Sequence, residues 1–240
     1  FKDKVYMSNL CQEITLPTRP VQHIDDPDGE IALCILSAIN LGLIKEKDEL
    51  EELCDLSVRA LDEIIDYQEY PVEAAKKSTE ARRSLGIGYI GLAHFLAKNK
   101  VKYDDKEAWK LVDEITEAFQ YYLLKASNKL AQERGACEYF DKTKYSDGIL
   151  PIDSYKKDVD SLVNRKLSYD WNALRKDIKE SGLRHSTLSA QMPSESSSVV
   201  SNATNGVEPP RDFLSIKKSK KGTLKPVSYT HLRAHETCPY

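Results

Sequence analysis

The stretch Asp-Glu-Leu-Glu-Glu-Leu-Cys-Asp-Leu-Ser-Val-Arg-Ala-Leu-Asp-Glu-Ile-Ile-Asp, residues 48–66, carries the clearest structural signal in this sequence. Charged side chains alternate in it with apolar ones that recur at helical spacing, so the stretch predicts an amphipathic helix with one buried face. The apolar positions are Leu50, Leu53, Leu56, Leu61, Ile64 and Ile65. Tyr70-Pro71 ends the segment, because proline disfavours a helical conformation in the residue before it.

The segments on either side of this helix continue a mixed pattern in which helix predominates. Upstream, the apolar run at residues 31–43 is compatible with a strand or with a buried helix. Downstream, the pattern predicts loops with short helical turns at residues 137–169, which are rich in turn-forming residues. It predicts further helices at residues 73–83, 88–98, 106–134 and 170–181. Periodicity alone therefore predicts an α/β fold with more helix than strand.

The N-terminal segment, residues 5–16, is predicted to be extended. Alternate side chains of an extended chain point to the same side, so Asn9, Cys11 and Glu13 would face one space. Such a trio suits chemistry on a sugar diol: the sulfur exchanges a hydrogen atom, the carboxylate takes a proton and the amide orients the hydroxyls. The alternative is a buried cysteine beside two surface polar residues, and spacing alone favours that alternative.

A serine-rich segment near the C-terminus has a second candidate function. Residues 186–192 predict a short strand that runs directly into Pro193-Ser194-Glu195-Ser196-Ser197-Ser198. A helix that starts there presents unpaired N–H groups and a partial positive charge, and phosphate groups bind at such helix starts. The alternatives are a flexible polar linker or a simple N-cap, which composition alone favours.

Composition excludes several classes of function. The net charge of −3 leaves no basic surplus for a nucleic-acid partner. No apolar stretch approaches the roughly 20 residues of a membrane span, and no signal peptide is evident, so a cytoplasmic protein is expected. The five cysteines form no C-x-x-C pair, which argues against a zinc ribbon or a local disulfide framework.

Three further patterns are given no catalytic or ligand-binding role. Gly-Ile-Gly-Tyr-Ile-Gly at residues 86–91 matches the dinucleotide-binding fingerprint, but a polar, helix-like segment precedes it, so we expect these glycines to serve close helix packing. Tyr121 and Tyr122 point about 100° apart on a helix and are expected to be packing residues. Near the C-terminus, His231, His235 and Cys238 are spaced like metal ligands. No second cysteine accompanies them, so no metal is expected there.

Several motifs, taken in order, resemble the large catalytic subunit of class I ribonucleotide reductases. They are SNLCQEI (8–14), LPTRP (16–20), GEIALC (29–34), RRSLGIG (82–88), YYLLKAS (121–127), GILPID (148–153) and PSESS (193–197). The resemblance covers about residues 1–226, which we therefore expect to be part of a catalytic barrel domain. Residues 227–240 resemble a translated sequencing adapter, and we expect them to be a non-native tail.

The resemblance implies a fold and a set of catalytic residues. The fold would be part of a ten-stranded α/β barrel with a central finger loop. Cys11 would be the thiyl radical that abstracts the ribose 3′-hydrogen, Glu13 the base that deprotonates the 3′-hydroxyl, and Asn9 would hold the hydroxyls. Cys34 would be one of two thiols that supply reducing equivalents, with its partner upstream of Phe1.

The resemblance also implies a substrate and partners. Ser194, Glu195, Ser196 and Ser197 would bind the diphosphate of a ribonucleoside diphosphate, which is converted to the deoxyribonucleotide. A metal-containing small subunit would supply the radical, and thioredoxin or glutaredoxin the electrons. Nucleotide effectors would bind outside this sequence, and the full-length protein would be a homodimer.

The first residue is Phe1 rather than Met, and we expect an internal piece that is inactive alone. Two alternatives remain open at this point. One is the cobalamin-dependent class of ribonucleotide reductase, and the other is a non-catalytic helical interaction domain.

Overall fold

Two parallel strands joined by a pair of helices form the centre of the chain. The computed structural model describes residues 1–46 and 48–210, together with two short strands, Lys217–Ser219 and Gly222–Leu224. Strand β1 (Ile35–Asn40) pairs with β2 (Leu85–Ile90) in a parallel register that runs from Ile35–Leu85 to Asn40–Ile90. Parallel neighbours require a crossover connection, which helices α1 (Asp48–Tyr67) and α2 (Glu73–Arg82) provide.

The remaining elements follow β2 in the chain. They are α3 (Leu92–Lys98), α4 (Lys106–Arg134), α5 (Asp158–Val163), α6 (Trp171–Ser181), α7 (Glu195–Val200), and the antiparallel pair β3 (Lys217–Ser219) and β4 (Gly222–Leu224). Short 3-10 turns occupy Leu41–Leu43, Phe140–Lys142, Lys144–Asp147 and Pro151–Asp153. The prediction of loops with helical turns at residues 137–169 is thereby confirmed.

Residues 187–190 run beside β2 on the edge that β1 does not use. The backbone N–H of Ile87 donates to the carbonyl of Leu188 (2.8 Å), and that of Ala190 donates to the carbonyl of Ile87 (3.1 Å). One regular parallel bridge joins Ile87 to Ser189. The strand predicted at 186–192 is therefore extended and paired over part of its length, and β2 is hydrogen-bonded on both edges.

The two faces of β2 have different neighbours, because side chains alternate along a strand. Leu85, Ile87 and Tyr89 point into the hydrophobic core that includes α1 and α4. The Tyr89 hydroxyl lies 3.1 Å from the Thr116 hydroxyl on α4, and its ring meets Phe119 edge-on at 5.4 Å. Gly86 and Gly88 point to the opposite face, where they add no side chain.

The helix predicted at residues 48–66 is confirmed as α1, but its buried face differs from the predicted one. Leu56 is 54% exposed and Ile64 is 44% exposed, whereas Asp62 is fully buried. The buried positions are Leu50, Cys54, Val58, Leu61, Asp62 and Ile65. The five apolar members of this face follow helical spacing, and Asp62 is buried beside them with polar partners, which apolar spacing alone does not predict.

The helices predicted at residues 73–83, 106–134 and 170–181 are confirmed, and Gly135 and Gly182 follow the last two. The prediction at 88–98 is wrong at its start, because β2 extends to Ile90 and α3 begins only at Leu92. Glycine is unfavourable inside a helix, and β2 has hydrogen-bonding neighbours on both sides. The pairing of distant segments therefore determines the conformation of residues 85–90.

A buried ionic network joins α1 to the end of α2. The Asp62 carboxylate, fully buried, accepts hydrogen bonds from Arg83 Nε (2.6 Å) and His185 Nε2 (3.1 Å). Burial alone would raise the pKa of Asp62, but the hydrogen bonds from His185 and Arg83 hold it well below its ordinary value. Asp62 is therefore charged in the folded chain at neutral pH.

His185 extends this network to α4. Its Nδ1 lies 2.9 Å from the hydroxyl of Ser127, and Ser127, His185 and Asp62 are all fully buried. Burial lowers the pKa of His185, and the neighbouring Asp62 opposes that effect only in part. The connectivity matches a Ser–His–Asp triad, but the hydroxyl has no exposed surface that a substrate could reach. The three residues therefore act in packing.

We predict that Asp62→Asn lowers the free energy of unfolding by about 3–5 kcal/mol, because it leaves the buried Arg83 guanidinium without its buried counter-charge. Asp66→Asn is the matched control. Asp66 also pairs with Arg83, but its side chain is 49% exposed, so a loss of about 1 kcal/mol or less is expected. Urea unfolding of both variants measures the difference, and equal losses would contradict the buried network.

We predict that stability falls on acidification below the ordinary histidine pKa of 6.5, because His185 has a lower pKa when folded than when unfolded. The unfolded chain then binds more protons, so the free energy of unfolding rises with pH in this window. His185→Gln should remove that part of the slope, whereas His23→Gln, at an exposed position, should retain it. Unfolding curves at several pH values check this, and an unchanged slope in His185→Gln would refute it.

Candidate functional site

Residues 9–14 form a tight loop. The Asn9 backbone N–H donates to the carbonyl of Ile14, and the Ile14 N–H donates to the Asn9 side chain, both at 3.1 Å. Gln12 donates to the Asn9 carbonyl (3.2 Å) with φ at +63°, in the left-handed region. The extended conformation predicted for residues 5–16 is therefore wrong here, because Asn9 closes a local hydrogen-bonded turn that competes with extended backbone.

The 9–14 loop nevertheless brings two of the three candidate side chains together. Asn9 Nδ2 donates to Glu13 Oε1 at 2.7 Å. The other carboxylate oxygen, Glu13 Oε2, is buried and has no hydrogen-bond partner among the described residues. Cys11 lies exposed in the loop between them. A buried carboxylate oxygen without a donor is costly, so the arrangement favours a ligand group that donates to it.

A cavity of about 620 Å³ connects this loop with the chain that leads into β1. Asn9 lines it from the loop, and Cys34 and Leu36 line it from the start of β1. Arg19 and Glu30, which pair with each other through both backbone and side chains, line it as well. Two of the candidate catalytic residues, Asn9 and Cys34, thus share one cavity.

Cys34 is half-buried at the end of the run before β1. A Cβ placed on Gly86 of β2 would lie 3.0 Å from the Cys34 sulfur and 3.2 Å from Cβ of Ala190, so the glycine leaves room for the thiol. Burial raises the pKa of Cys34 to about 12, and the charge of Glu13 adds to the effect. The thiol is therefore protonated at neutral pH, and it lies within electrostatic range of Glu13.

The serine-rich segment starts on the same face of β2 as Cys34. A Cβ on Gly88 would lie 2.3 Å from the carbonyl oxygen of Ala190, so only glycine allows this close approach. Ser194 is buried, its N–H donates to Asn205 Oδ1 (2.7 Å), and its hydroxyl donates to the carbonyl of Met192 (3.4 Å).

The next three residues, Glu195, Ser196 and Ser197, are exposed at the start of α7. The first N–H groups of a helix have no partner within it, so the start of α7 can present donors to an anion while Ser194 is turned inward.

One buried arginine, which sequence reasoning did not single out, holds both halves of the site. Arg82 ends α2 and is 2% exposed. Its NH2 group donates to Asp3 (2.8 Å), on the segment that leads to the 9–14 loop. Its Nε and NH2 donate to Glu30 (3.0 and 2.9 Å), on the segment that leads to Cys34. The only sequence signal was the Arg82-Arg83 pair at the end of a predicted helix.

The glycine motif at residues 86–91 does not form a phosphate-binding turn. Gly86 and Gly88 lie within β2, and only Gly91, with φ at +74°, stands at the turn into α3. The expected role in close packing is correct, but the packing is between strand-like segments rather than helices.

The packing role predicted for Tyr121 and Tyr122 is confirmed. Tyr121 stacks on Tyr169 with ring centres 4.6 Å apart, and the Tyr169 hydroxyl donates to that of Tyr122 (3.2 Å). Trp171 meets the Tyr121 ring edge-on at 5.4 Å. The two neighbours on α4 therefore belong to one aromatic cluster with the chain that enters α6.

Within residues 1–46 and 48–210, no group of three or more histidine, cysteine or acidic side chains is placed to hold a metal ion. None of the helices in that part of the chain has the length and apolar character that crossing a bilayer requires. The metal-like spacing of His231, His235 and Cys238, and the tail at 227–240, lie outside the described residues.

The fold and site define a class of protein: a mixed α/β domain with helices packed on one face of a parallel sheet and the Cys34 thiol, beside a cavity, on the other. Residues 1–239 match the family model described as ribonucleotide reductase, barrel domain. The chain belongs to that family.

Similar proteins include ribonucleoside-diphosphate reductase alpha subunits from bacteria and a phage. The one from Haemophilus influenzae is 65% identical over 223 residues, which are 93% of this chain and 30% of that protein. The alpha subunit of ribonucleoside-diphosphate reductase 1 from Escherichia coli is 59% identical over 95% of this chain and 30% of its own length. The subunit of Enterobacteria phage T4 is 49% identical over 94% of this chain and 29% of its own length. The chain thus spans about 30% of the length of these relatives.

Proposed function

We propose that this chain is the part of a ribonucleotide reductase catalytic subunit that reduces ribonucleoside diphosphates to deoxyribonucleoside diphosphates. The observation that carries the proposal is the 9–14 loop, which places Asn9 against Glu13, leaves a buried carboxylate oxygen without a donor, and opens onto the cavity of Cys34. In this proposal β1, β2 and residues 187–190 are strands of a ten-stranded barrel, and the 9–14 loop is its central finger loop.

The first chemical step assigned to the loop is removal of a hydrogen atom. The Cys11 sulfur, as a thiyl radical, takes the ribose 3′-hydrogen and becomes a thiol. Glu13 Oε2 accepts the proton of the 3′-hydroxyl, and Asn9, which already donates to Oε1, orients the diol.

Cys34 supplies the reducing half of the reaction. Loss of the 2′-hydroxyl as water requires a proton, and burial keeps the Cys34 thiol protonated at neutral pH. Two thiols are oxidised to a disulfide while the ribose carbon is reduced, so Cys34 needs a second cysteine. Cys54 on α1 and Cys137 after α4 are both buried and line no part of the cavity of Cys34, and we place the partner thiol outside this chain.

The diphosphate is assigned to the start of α7. Glu195, Ser196 and Ser197 are exposed there, and the helix start offers N–H donors to an anion. Ser194, the fourth residue of the group, contributes by shaping the turn, since its N–H and hydroxyl already have partners. Glu195 takes part through its backbone N–H, because its carboxylate would repel phosphate.

The partners follow from the same assignment. The relatives are named alpha subunits, which favours the class with a separate, metal-containing small subunit as radical source over the cobalamin-dependent class. Thioredoxin or glutaredoxin would re-reduce the thiols. The full-length protein would be a cytoplasmic homodimer whose nucleotide effectors bind outside this chain, and the chain alone would be inactive.

The test replaces the matching segment of the Haemophilus influenzae relative with residues 1–226 of this chain, because the two are 65% identical over 223 residues. The chimera, with its small subunit and a thiol reductant, should reduce ribonucleoside diphosphates. Cys11→Ala should lower turnover below detection, since no other group can take the 3′-hydrogen. Deoxyribonucleotide formation is the measurement.

Cys137→Ala is the control for Cys11→Ala, because it also removes a thiol, but from a buried position outside the cavity. It should retain turnover. Turnover that survives in Cys11→Ala would overturn the proposal and would favour the alternative, a helical interaction domain whose cysteines are structural.

The diphosphate assignment predicts that Ser196→Asp in the same chimera raises KM for the ribonucleoside diphosphate by about tenfold or more, because the added carboxylate repels phosphate. Its kcat should change little, since the diphosphate assigned to α7 takes no part in the bond changes at the sugar. Ser201→Asp, exposed at the other end of α7, is the matched control and should leave KM unchanged. Equal KM values for the two variants would remove α7 from the substrate site.

A further inference from the structure

We infer that Arg82 is a positioning residue, which holds the loop carrying Cys11 and the chain carrying Cys34 at a fixed separation; this inference rests on the proposed function. Arg82 touches neither thiol, and it lines none of the cavity that Cys34 shares with Asn9. It acts through two carboxylates, Asp3 and Glu30, each of which lies on the segment that leads to one of the two cysteines.

The hydrogen bond from Arg82 to Asp3 is the last one that attaches the N-terminal segment to the rest of the chain before the 9–14 loop. Upstream, Lys2 donates through its backbone to Lys142 (2.8 Å) and through its side chain to Asp147 (2.8 Å), both at the surface. Among the described residues, the hydrogen bonds of residues 4–14 remain within that segment. The next firmly buried position is Leu16. The segment that carries the loop is therefore attached to the rest of the chain at Asp3 and at Leu16, and Arg82 makes the attachment at Asp3.

The contact with Glu30 holds the other segment. The Glu30 side chain is fully buried and receives two hydrogen bonds from Arg82, while Arg19 lies 3.1 Å from its second oxygen. The Ile31 N–H that follows donates to the carbonyl of Ala74 on α2 (3.1 Å). The chain between Glu30 and Cys34 is therefore attached to the same helix that carries Arg82.

The chemistry of the guanidinium suits this task. Its donors are fixed in one plane, so a single buried group can bond two carboxylates in a set geometry, which a lysine ammonium cannot reproduce. The Tyr139 ring lies 4.9 Å from the guanidinium carbon and limits its movement further. Reacting groups that must approach within van der Waals distance are sensitive to displacements of about 1 Å, so loosening this tie should slow the reaction.

Arg83 offers a matched control at the next position. It is also buried, and it also pairs with two carboxylates, Asp62 and Asp66, but both are on α1 and neither leads to a cysteine of the site. Arg82→Lys and Arg83→Lys both keep the positive charge but lose the planar set of N–H donors that a guanidinium provides. Both should lower the melting temperature, so stability alone does not distinguish them.

In the chimera with the Haemophilus influenzae relative, Arg82→Lys should lower kcat by about tenfold to a hundredfold and leave KM within about twofold, because the substrate contacts are intact. Arg83→Lys should leave kcat within about twofold. If Arg82→Lys does not fold, Arg82→Met combined with Glu30→Gln replaces it, since this removes both fully buried charges and leaves only the partly exposed Asp3 and Arg19 without their partners. Retained kcat in the Arg82 variant, or an equal loss in both arginine variants, would overturn the inference.

A second measurement on the chain itself is independent of ribonucleotide reduction. Burial contributes most to the raised pKa of Cys34 and the Glu13 charge adds to it, so Glu13→Gln should speed alkylation of Cys34 at mildly alkaline pH, where the rate follows the thiolate fraction. With Arg82→Lys present, Glu13→Gln should no longer change that rate, because Arg82 no longer holds the Glu13 carboxylate near the Cys34 thiol. Mass spectrometry separates Cys34 from Cys11.

An equal effect of Glu13→Gln with and without Arg82→Lys would refute the positioning role, even if the chimera were active. Conversely, an inactive chimera with the unchanged chain would count against the proposed function, while a lost Glu13 effect would still support the role of Arg82. The two failures are therefore distinguishable.

Discussion

Close packing on both sides of β2 is the constraint on which the rest of the structure depends. All six of its residues are buried, and it has hydrogen-bonded neighbours on both edges. Leu85, Ile87 and Tyr89 fill the core beneath the helices, while Gly86 and Gly88 leave the other face free for the Cys34 thiol and the backbone of Ala190. A side chain at either glycine would occupy space that the candidate site uses. One strand thus builds the core and leaves room for the chemistry.

Two successive arginines at the end of α2 connect these faces. Arg83 adopts a left-handed conformation, with φ at +46°, which ends the helix and directs the chain into β2. Its side chain enters the network of Asp62 and His185, whereas that of Arg82 reaches Asp3 and Glu30 on the side of the site. Buried ion pairs are not a reliable source of stability, because desolvation opposes them. Their specific geometry gives a better reason for their presence.

Sequence patterns predicted the parts of this structure that local contacts determine. The spacing in α1 and α4, and the glycines that end α4 and α6, are local signals, and the structure agrees with them. Residues 88–90 were predicted as helix because their strand partners are distant in sequence. The inward turn of Asp62 and the 9–14 loop depend on partners that spacing does not reveal. The candidate site residues came from resemblance to a family, since spacing alone favoured a buried Cys11, which is exposed.

The environments of the two thiols support a division of tasks between them. Cys34 is half-buried near Glu13 and stays protonated, as a donor of protons and electrons should. Cys11 stands in a loop whose neighbouring Leu10 is 96% exposed. A thiyl radical must be kept from water and from other reductants, and the described residues do not cover this loop. The proposed chemistry therefore requires a covering surface that these residues do not supply, and the exposed Leu10 is the kind of side chain such a surface would bury.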